Sequence, residues 1–246
     1  MSSRATTATP RVGPAAERTY DFRRFWRIAL AVVAPLPMTA MGISYLVNPF
    51  QGNEGYATTV AYYADHPTLL AVGPWLGLVF CAGLVPAAFA VAWAVRRRVP
   101  RLAMVGGLVA VGGLLGGVSL LNGPVTIAAL TAQHELDVEV TGQLQTALDE
   151  TPVFMVGGLL FLTGIVIGLL LLGIALAKSG LAPAWMGIAL AIGGFTHPIM
   201  PNHIAAGIGL LVAAVGFAGG SVALLRMADD DFDLPPLPAA AGRASS

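Results

Sequence analysis

The chain has 246 residues, of which 56% are hydrophobic and 11% are charged. Soluble domains carry about 25% charged residues, so a soluble globular fold is excluded. The formal net charge is zero, which gives no bulk field for nucleic acid or acidic partners.

Residues 1–25 are mostly polar and lack an apolar period, and they read as a disordered cytoplasmic N-tail. Arg23, Arg24 and Arg27 then lead into the first apolar run, about 28–47. A hydrocarbon core of about 30 Å needs about 20 helical residues, and the run supplies them. It is too long for a signal-peptide core and no small-x-small cleavage site follows it, so it reads as an uncleaved span. Pro35 and Pro37 predict a kink in it. Five more runs follow at about 68–95, 102–121, 152–177, 183–200 and 204–225. The fifth of the six is the shortest and depends on Pro198 to Met200 for its depth. The third run has a second apolar piece, past Asn122-Gly123-Pro124 to Thr131. The lone cysteine, Cys81, lies inside the second run, where it reads as a small buried hydrophobe and allows no intramolecular disulfide.

The charges orient these runs. All 13 basic residues fall in the N-tail, in Arg96 to Arg101, at Lys178, or from Arg226 onward. The loops at 48–67, 131–152 and 197–203 hold none. Random placement would leave them empty with a probability on the order of one in a thousand, which is the positive-inside signature. The same loops carry Glu54, Asp65, Glu135, Asp137, Glu139, Asp149 and Glu150. The predicted fold is therefore all-α: a polytopic membrane bundle of six transmembrane helices spanning 26–226, with both termini cytoplasmic. Arginine strongly outnumbers lysine, and Ala and Gly are abundant, which suggests a GC-rich bacterial genome and a plasma (inner) membrane location.

Two outer loops have helical period: Tyr56, Val60 and Tyr63 in one, Val140, Leu144 and Leu148 in the other. Each predicts a short amphipathic helix lying at the membrane interface, apolar face down. Segments 51–121 and 131–196 share the order acidic outer segment, span, basic Pro-containing turn, span, with Gly112-Gly113 matching Gly193-Gly194. This would be a parallel repeat. Residues 227–246, with Asp229, Asp230, Asp231 and Asp233, read as a disordered, solvated cytoplasmic C-tail.

No Asp, Glu, Lys, Arg or His lies in the interior of any span, His197 falling at the outer end of the fifth. Such groups cost roughly 2.5 kcal/mol or more and are kept for function, so proton relays, ion-coupled transport and intramembrane proteolysis are disfavoured. Small-xxx-small pairs (Gly73/Gly77, Gly112/Gly116, Gly113/Gly117, Gly164/Gly168, Gly216/Gly220) predict close helix packing within the bundle, or between copies in a homo-oligomer or with another membrane protein. The four histidines, His66, His134, His197 and His203, all map to the outer face, His66 beside Asp65 and His134 beside Glu135, and with Asn202 they are the candidate binding residues. Imidazole with carboxylate suits a divalent metal. Turn and capping chemistry is the competing account, with Asp65 as a helix cap and His197-Pro198 and Asn202-His203 in the turn between the last two spans. No cofactor is expected, and no catalytic residue is assigned.

Lys178-Ser179-Gly180, followed by Pro183, Met186-Gly187-Ile188 and Ile192-Gly193-Gly194-Phe195, resembles the bacterial membrane domain-of-unknown-function family 4386. The resemblance implies six spans over about residues 30–225 and supplies no catalytic residue. The expected roles are a non-enzymatic accessory, sensory or assembly subunit; a small-molecule binder or uncoupled transporter with an outward vestibule; or a membrane enzyme with an outer-face metal site.

Overall fold

The computed structural model describes residues 20–47, 55–122, 124–200 and 202–234, with the side chains of residues 120–122, 124, 125 and 197 left aside. Among the described residues every regular element is helical: α1 (Arg23–Val33), α2 (Leu36–Val47), α3 (Gly55–Asp65), α4 (Pro67–Val95), α5 (Pro100–Leu114) running into a 3₁₀ segment (Leu115–Asn122), α6 (Pro124–Gln133), α7 (Val138–Asp149), α8 (Pro152–Thr163), a π segment (Gly164–Gly168), α9 (Leu169–Ser179), α10 (Ala184–Ile199), α11 (His203–Arg226) and α12 (Asp229–Phe232).

Five helical stretches are long and apolar enough to cross a membrane: Arg23–Val47, Pro67–Val95, Pro100–Ser119, Pro152–Ser179 and His203–Arg226. The fifth predicted span is α10, whose 16 residues give about 24 Å of helix at 1.5 Å per residue. It falls short of the length of the others, as its sequence run does. Pro198 lies within α10 and the last turn closes through Met200 N–H to the Thr196 carbonyl at 3.0 Å. The reversal into α11 is therefore tighter than a turn beginning at His197.

The predicted kink is present. α1 stops at Val33 and α2 starts at Leu36. Pro35 has no N–H to give the carbonyl one turn back, that of Ala31. In lipid no water can take that carbonyl's bond. Ser221, from α11, donates to it at 2.6 Å. Pro37 fills the notch at Gly83 of α4, where an added Cβ would lie 2.8 Å from the proline ring.

The core runs down the centre of the bundle. Leu84, Ala88 and Val91 of α4, Leu114 of α5, Leu169 and Leu172 of α9, Leu190 of α10, and Leu210 and Phe217 of α11 are fully buried. α11 packs against α10, α2, α1 and α4. The fourth span carries a π segment flanked by glycines of two neighbours. A Cβ at Gly113 would sit 2.5 Å from the Gly164 Cα, and one at Gly194 would overlap the Ile165 carbonyl. One glycine of each matched pair, Gly113 of α5 and Gly194 of α10, thus seats the widened turn of one helix, while Gly112 faces open space and Gly193 meets Ala213 of α11. Gly116, Gly117, Gly168, Gly216 and Gly220 are likewise filled by neighbours, whereas Gly73 and Gly77 face open space.

The family-like turn is a helix stop and restart. Gly180 takes the left-handed conformation at φ 68°, which glycine adopts without a Cβ penalty. Ser179 donates to the Leu176 carbonyl at 2.8 Å and accepts from the Leu181 N–H at 3.2 Å. Pro183 then precedes α10.

Removing the Ser221 hydroxyl tests the account of the kink. Ser221→Ala should destabilise the protein by about 1–3 kcal/mol, the cost of a buried carbonyl left without a donor, measured by denaturant unfolding in mixed micelles. Ser221→Thr, which keeps the hydroxyl, should recover most of the loss.

Candidate functional site

Three helices cap one end of the bundle. α3, α6 and α7 pack on one another around a small core of Val60, Tyr63 and Ala128, with Tyr56, Leu70 and Ala132 against it. Tyr56 and Thr131 share a hydrogen bond of 2.8 Å between their hydroxyls. α7 is capped by Asp137, whose carboxylate accepts the Val140 N–H at 2.9 Å. The expectation of an apolar face turned to the membrane meets, in α7, a helix with Val140 and Leu144 63% and 58% exposed. It is corrected for α3. Val60 and Tyr63 are buried against α6 because the piece after Asn122 folds as a helix and offers them a protein partner.

The candidate binding residues occupy separate places in and around this cap. His66 is exposed, stacks on Tyr62 with ring centroids 4.1 Å apart, and donates through Nδ1 to the Tyr62 carbonyl at 2.8 Å. It is also the residue preceding α4, with Pro67 in the first turn. Asp65, expected as that cap, instead ends α3. His134 is exposed at the end of α6, beside Glu135, whose φ is 50°. Asn202 caps α11 by accepting the Ala205 N–H at 2.8 Å. His203 stacks on Tyr45 of α2 at 4.5 Å. The side chain of His197 lies outside the described residues. Among the described residues no three His, Cys, Asp or Glu side chains stand close enough to share a metal ion.

The opposite end holds a feature that sequence reasoning missed. Residues 227–234, expected to belong to a solvated tail, pack under the bundle. Arg23 pairs with Asp21 at 2.7 Å and with Asp230 at 2.5 Å, Arg27 with Asp229 at 2.9 Å, and Arg97 with Asp231 at 3.6 Å. The neighbouring Arg23 guanidinium holds the Asp21 carboxyl below its usual range. Arg27 also donates to the Leu224 and Leu225 carbonyls at 3.1 Å, closing the end of α11, where unpaired carbonyls favour a cation. Phe232 is 5% exposed. Its carbonyl accepts from the Trp93 indole at 3.1 Å and from Arg96, which lies 3.6 Å over the Trp93 ring. Burial lowers the pKa of Arg96, and the like charge of Arg97 adds to this. The available signal was Phe232, a large apolar residue inside an acidic run that faces a surplus of arginines.

Between α1, the end of α4 and α12 lies a cleft of about 410 Å³, walled by Trp26, Phe89, Trp93 and Phe232 and rimmed by Asp21, Arg23 and Asp233. At the other end a groove of about 580 Å³ runs between α3 and α7, beside Tyr56, Glu139 and Gly142.

The acidic turn should behave as an electrostatic latch. An Arg27→Ala, Asp229→Ala double-mutant cycle should give a coupling of about 0.5–1 kcal/mol, the range for partly exposed pairs. The coupling should shrink in about 1 M salt, where screening acts over roughly 3 Å. Unfolding titrations at two ionic strengths measure both effects.

The family model described as a domain of unknown function (DUF4386) matches residues 31–229. No curated protein and no solved structure matches the chain. The matched segment runs from the last turn of α1 to the first residue of α12, including the stop-and-restart turn at Lys178 to Pro183, and the chain belongs to the DUF4386 family.

Proposed function

We propose that this protein crosses the bacterial plasma membrane six times with both termini in the cytoplasm, and serves as a non-enzymatic accessory, sensory or assembly subunit through its acidic outer cap. One observation carries the reading: the two ends of the bundle differ in charge and in construction. Arg23, Arg27, Arg96 and Arg97 converge at one end on the C-terminal acidic turn. The other end is a folded cap of three helices bearing Asp65, Glu135, Asp137, Glu139, Asp149 and Glu150. Such an asymmetry orients a membrane protein with its basic end inside. With Lys178 and Arg226 both basic-side markers, α10 and α11 together cross and return, and α10 counts as a span despite its length.

The candidate residues of the cap support a structural more than a chemical role. His66 and His203 stack on tyrosines, and Asn202 closes a helix start. A cap held by its own hydrogen bonds presents a fixed surface to a partner. The open face at Gly73 and Gly77 suits a neighbouring helix, from a second copy or from another membrane protein, because small residues allow close backbone approach.

A second reading, a small-molecule binder with an outward vestibule, draws on the groove beside Tyr56 and Glu139. It also draws on two buried oxygens of α7, Gln145 Oε1 and Asp149 Oδ1, which accept no hydrogen bond among the described residues. A ligand for this end would carry donors.

Topology is tested by labelling with a membrane-impermeant maleimide. Gln143→Cys should react in intact cells, and Arg98→Cys only after permeabilisation; the reverse pattern overturns the orientation. The subunit role predicts a second polypeptide, or a second copy, at fixed stoichiometry after purification in mild detergent. That association should weaken when Gly73 and Gly77 are replaced by leucine or when the cap carboxylates are neutralised. A monomer throughout, with a ligand in the α3–α7 groove, would favour the second reading.

A further inference from the structure

The cleft at the basic end has a composition unlike the rest of that surface. Its walls are aromatic, from Trp26 on α1, Phe89 and Trp93 on α4, and Phe232 on α12. At about 410 Å³ it falls within the range of small-ligand sites. It opens where the spans meet the headgroup layer, since Trp26 and Phe89 are 57% and 44% exposed at the ends of apolar helices. Interfacial aromatic belts occupy that level.

The charges around it decide what can enter. Arg23 is taken up by two carboxylates, Asp21 and Asp230. Arg27 is held by Asp229, and Arg97 by Asp231. Arg96 is directed onto the Phe232 and Trp93 carbonyls and stacks on Trp93. Asp233 is exposed on the rim and forms no ion pair among the described residues; its Oδ1 accepts only the Leu234 N–H, at 2.9 Å. Of the cleft's own lining, Arg23 is thus committed to two carboxylates, whereas Asp233 has no salt-bridge partner among the described residues and only the charge of Arg96 reaches it. The mouth of an aromatic cleft therefore presents a spare negative charge, on a face otherwise rich in arginine.

We propose that this cleft binds the headgroup of an ammonium-bearing phospholipid, phosphatidylethanolamine, from the leaflet at the basic end. Its primary ammonium sits at Asp233 against the aromatic walls, and its chains follow the apolar faces of α1 and α4. Aromatic faces attract cations through the ring quadrupole. A carboxylate rewards an N–H donor with a charge-assisted bond, which an anionic headgroup cannot make. The arginine-rich surface taken as a whole would favour anionic lipid, so the proposal predicts a local preference opposite to that of its surroundings.

The full-length protein carrying Trp75→Phe and Trp185→Phe retains Trp26 and Trp93 as reporters within the cleft. It is reconstituted in equimolar phosphatidylethanolamine and phosphatidylglycerol. Brominated, quenching chains are placed on one lipid or the other, so that membrane composition never changes. Quenching by brominated phosphatidylethanolamine should exceed that by brominated phosphatidylglycerol by about threefold, the scale of one exposed ion pair. Asp233→Asn, a change at an exposed position, should bring the two labels to parity. A form retaining only Trp185, outside the cleft, should show no preference for phosphatidylethanolamine. Equal quenching in the unsubstituted cleft, stronger quenching by phosphatidylglycerol, or a preference that survives Asp233→Asn overturns the proposal.

Discussion

Every backbone polar group inside a bilayer must find its partner within the protein. Helices meet this demand by themselves, and the informative places are those where they do not. The first span breaks at Pro35, and the carbonyl this frees on Ala31 is taken by Ser221 from the last span. One missing N–H near the N-terminus thus ties the first apolar helical stretch to α11. Pro37, two residues on, fits the notch at Gly83, so the same kink also sets the approach of the second crossing. The fourth span widens into a π turn, and glycines from α5 and α10 close on it from two sides. With no hydrophobic force between helices in lipid, such close approaches supply the packing.

The two ends of the bundle solve different problems. One end, where α3, α6 and α7 meet, builds a small folded cap with its own core and a tyrosine–threonine hydrogen bond. The opposite end collects arginines from two chain segments, and their mutual repulsion is answered by an acidic turn placed just after α11. Phe232 anchors that turn, and its carbonyl gathers Trp93 and Arg96. The cleft beside it exists because α12 forms one of its walls. Ion pairing there therefore shapes a surface as well as neutralising one.

The helices themselves were legible in the sequence. Apolar runs of span length have few alternatives, and Pro35 announced its break. The weak fifth run was legible as weak, and α10 is shorter than the five stretches long enough to cross a membrane. The helix of the α3 segment was legible from the spacing of Tyr56, Val60 and Tyr63, but its surroundings were not. An apolar stripe looks the same whether it meets lipid or another helix, and α6 decided the matter by packing on Val60 and Tyr63. The histidines could be placed on one end by charge exclusion. Their separation into stacked and exposed positions depended on which turns carried them.

What the sequence determined by itself was the helical class and the approximate limits of the long apolar helices, because these follow from local length and from the cost of charge in hydrocarbon. Tertiary structure alone decided the fate of the acidic run at Asp229 to Asp231. Four residues between the last span and a Pro-rich end carry no period that distinguishes a tail from a latch. Their partners, Arg23, Arg27, Arg96 and Arg97, lie more than 130 residues away. Only the folding of the bundle brings those arginines within reach of the carboxylates.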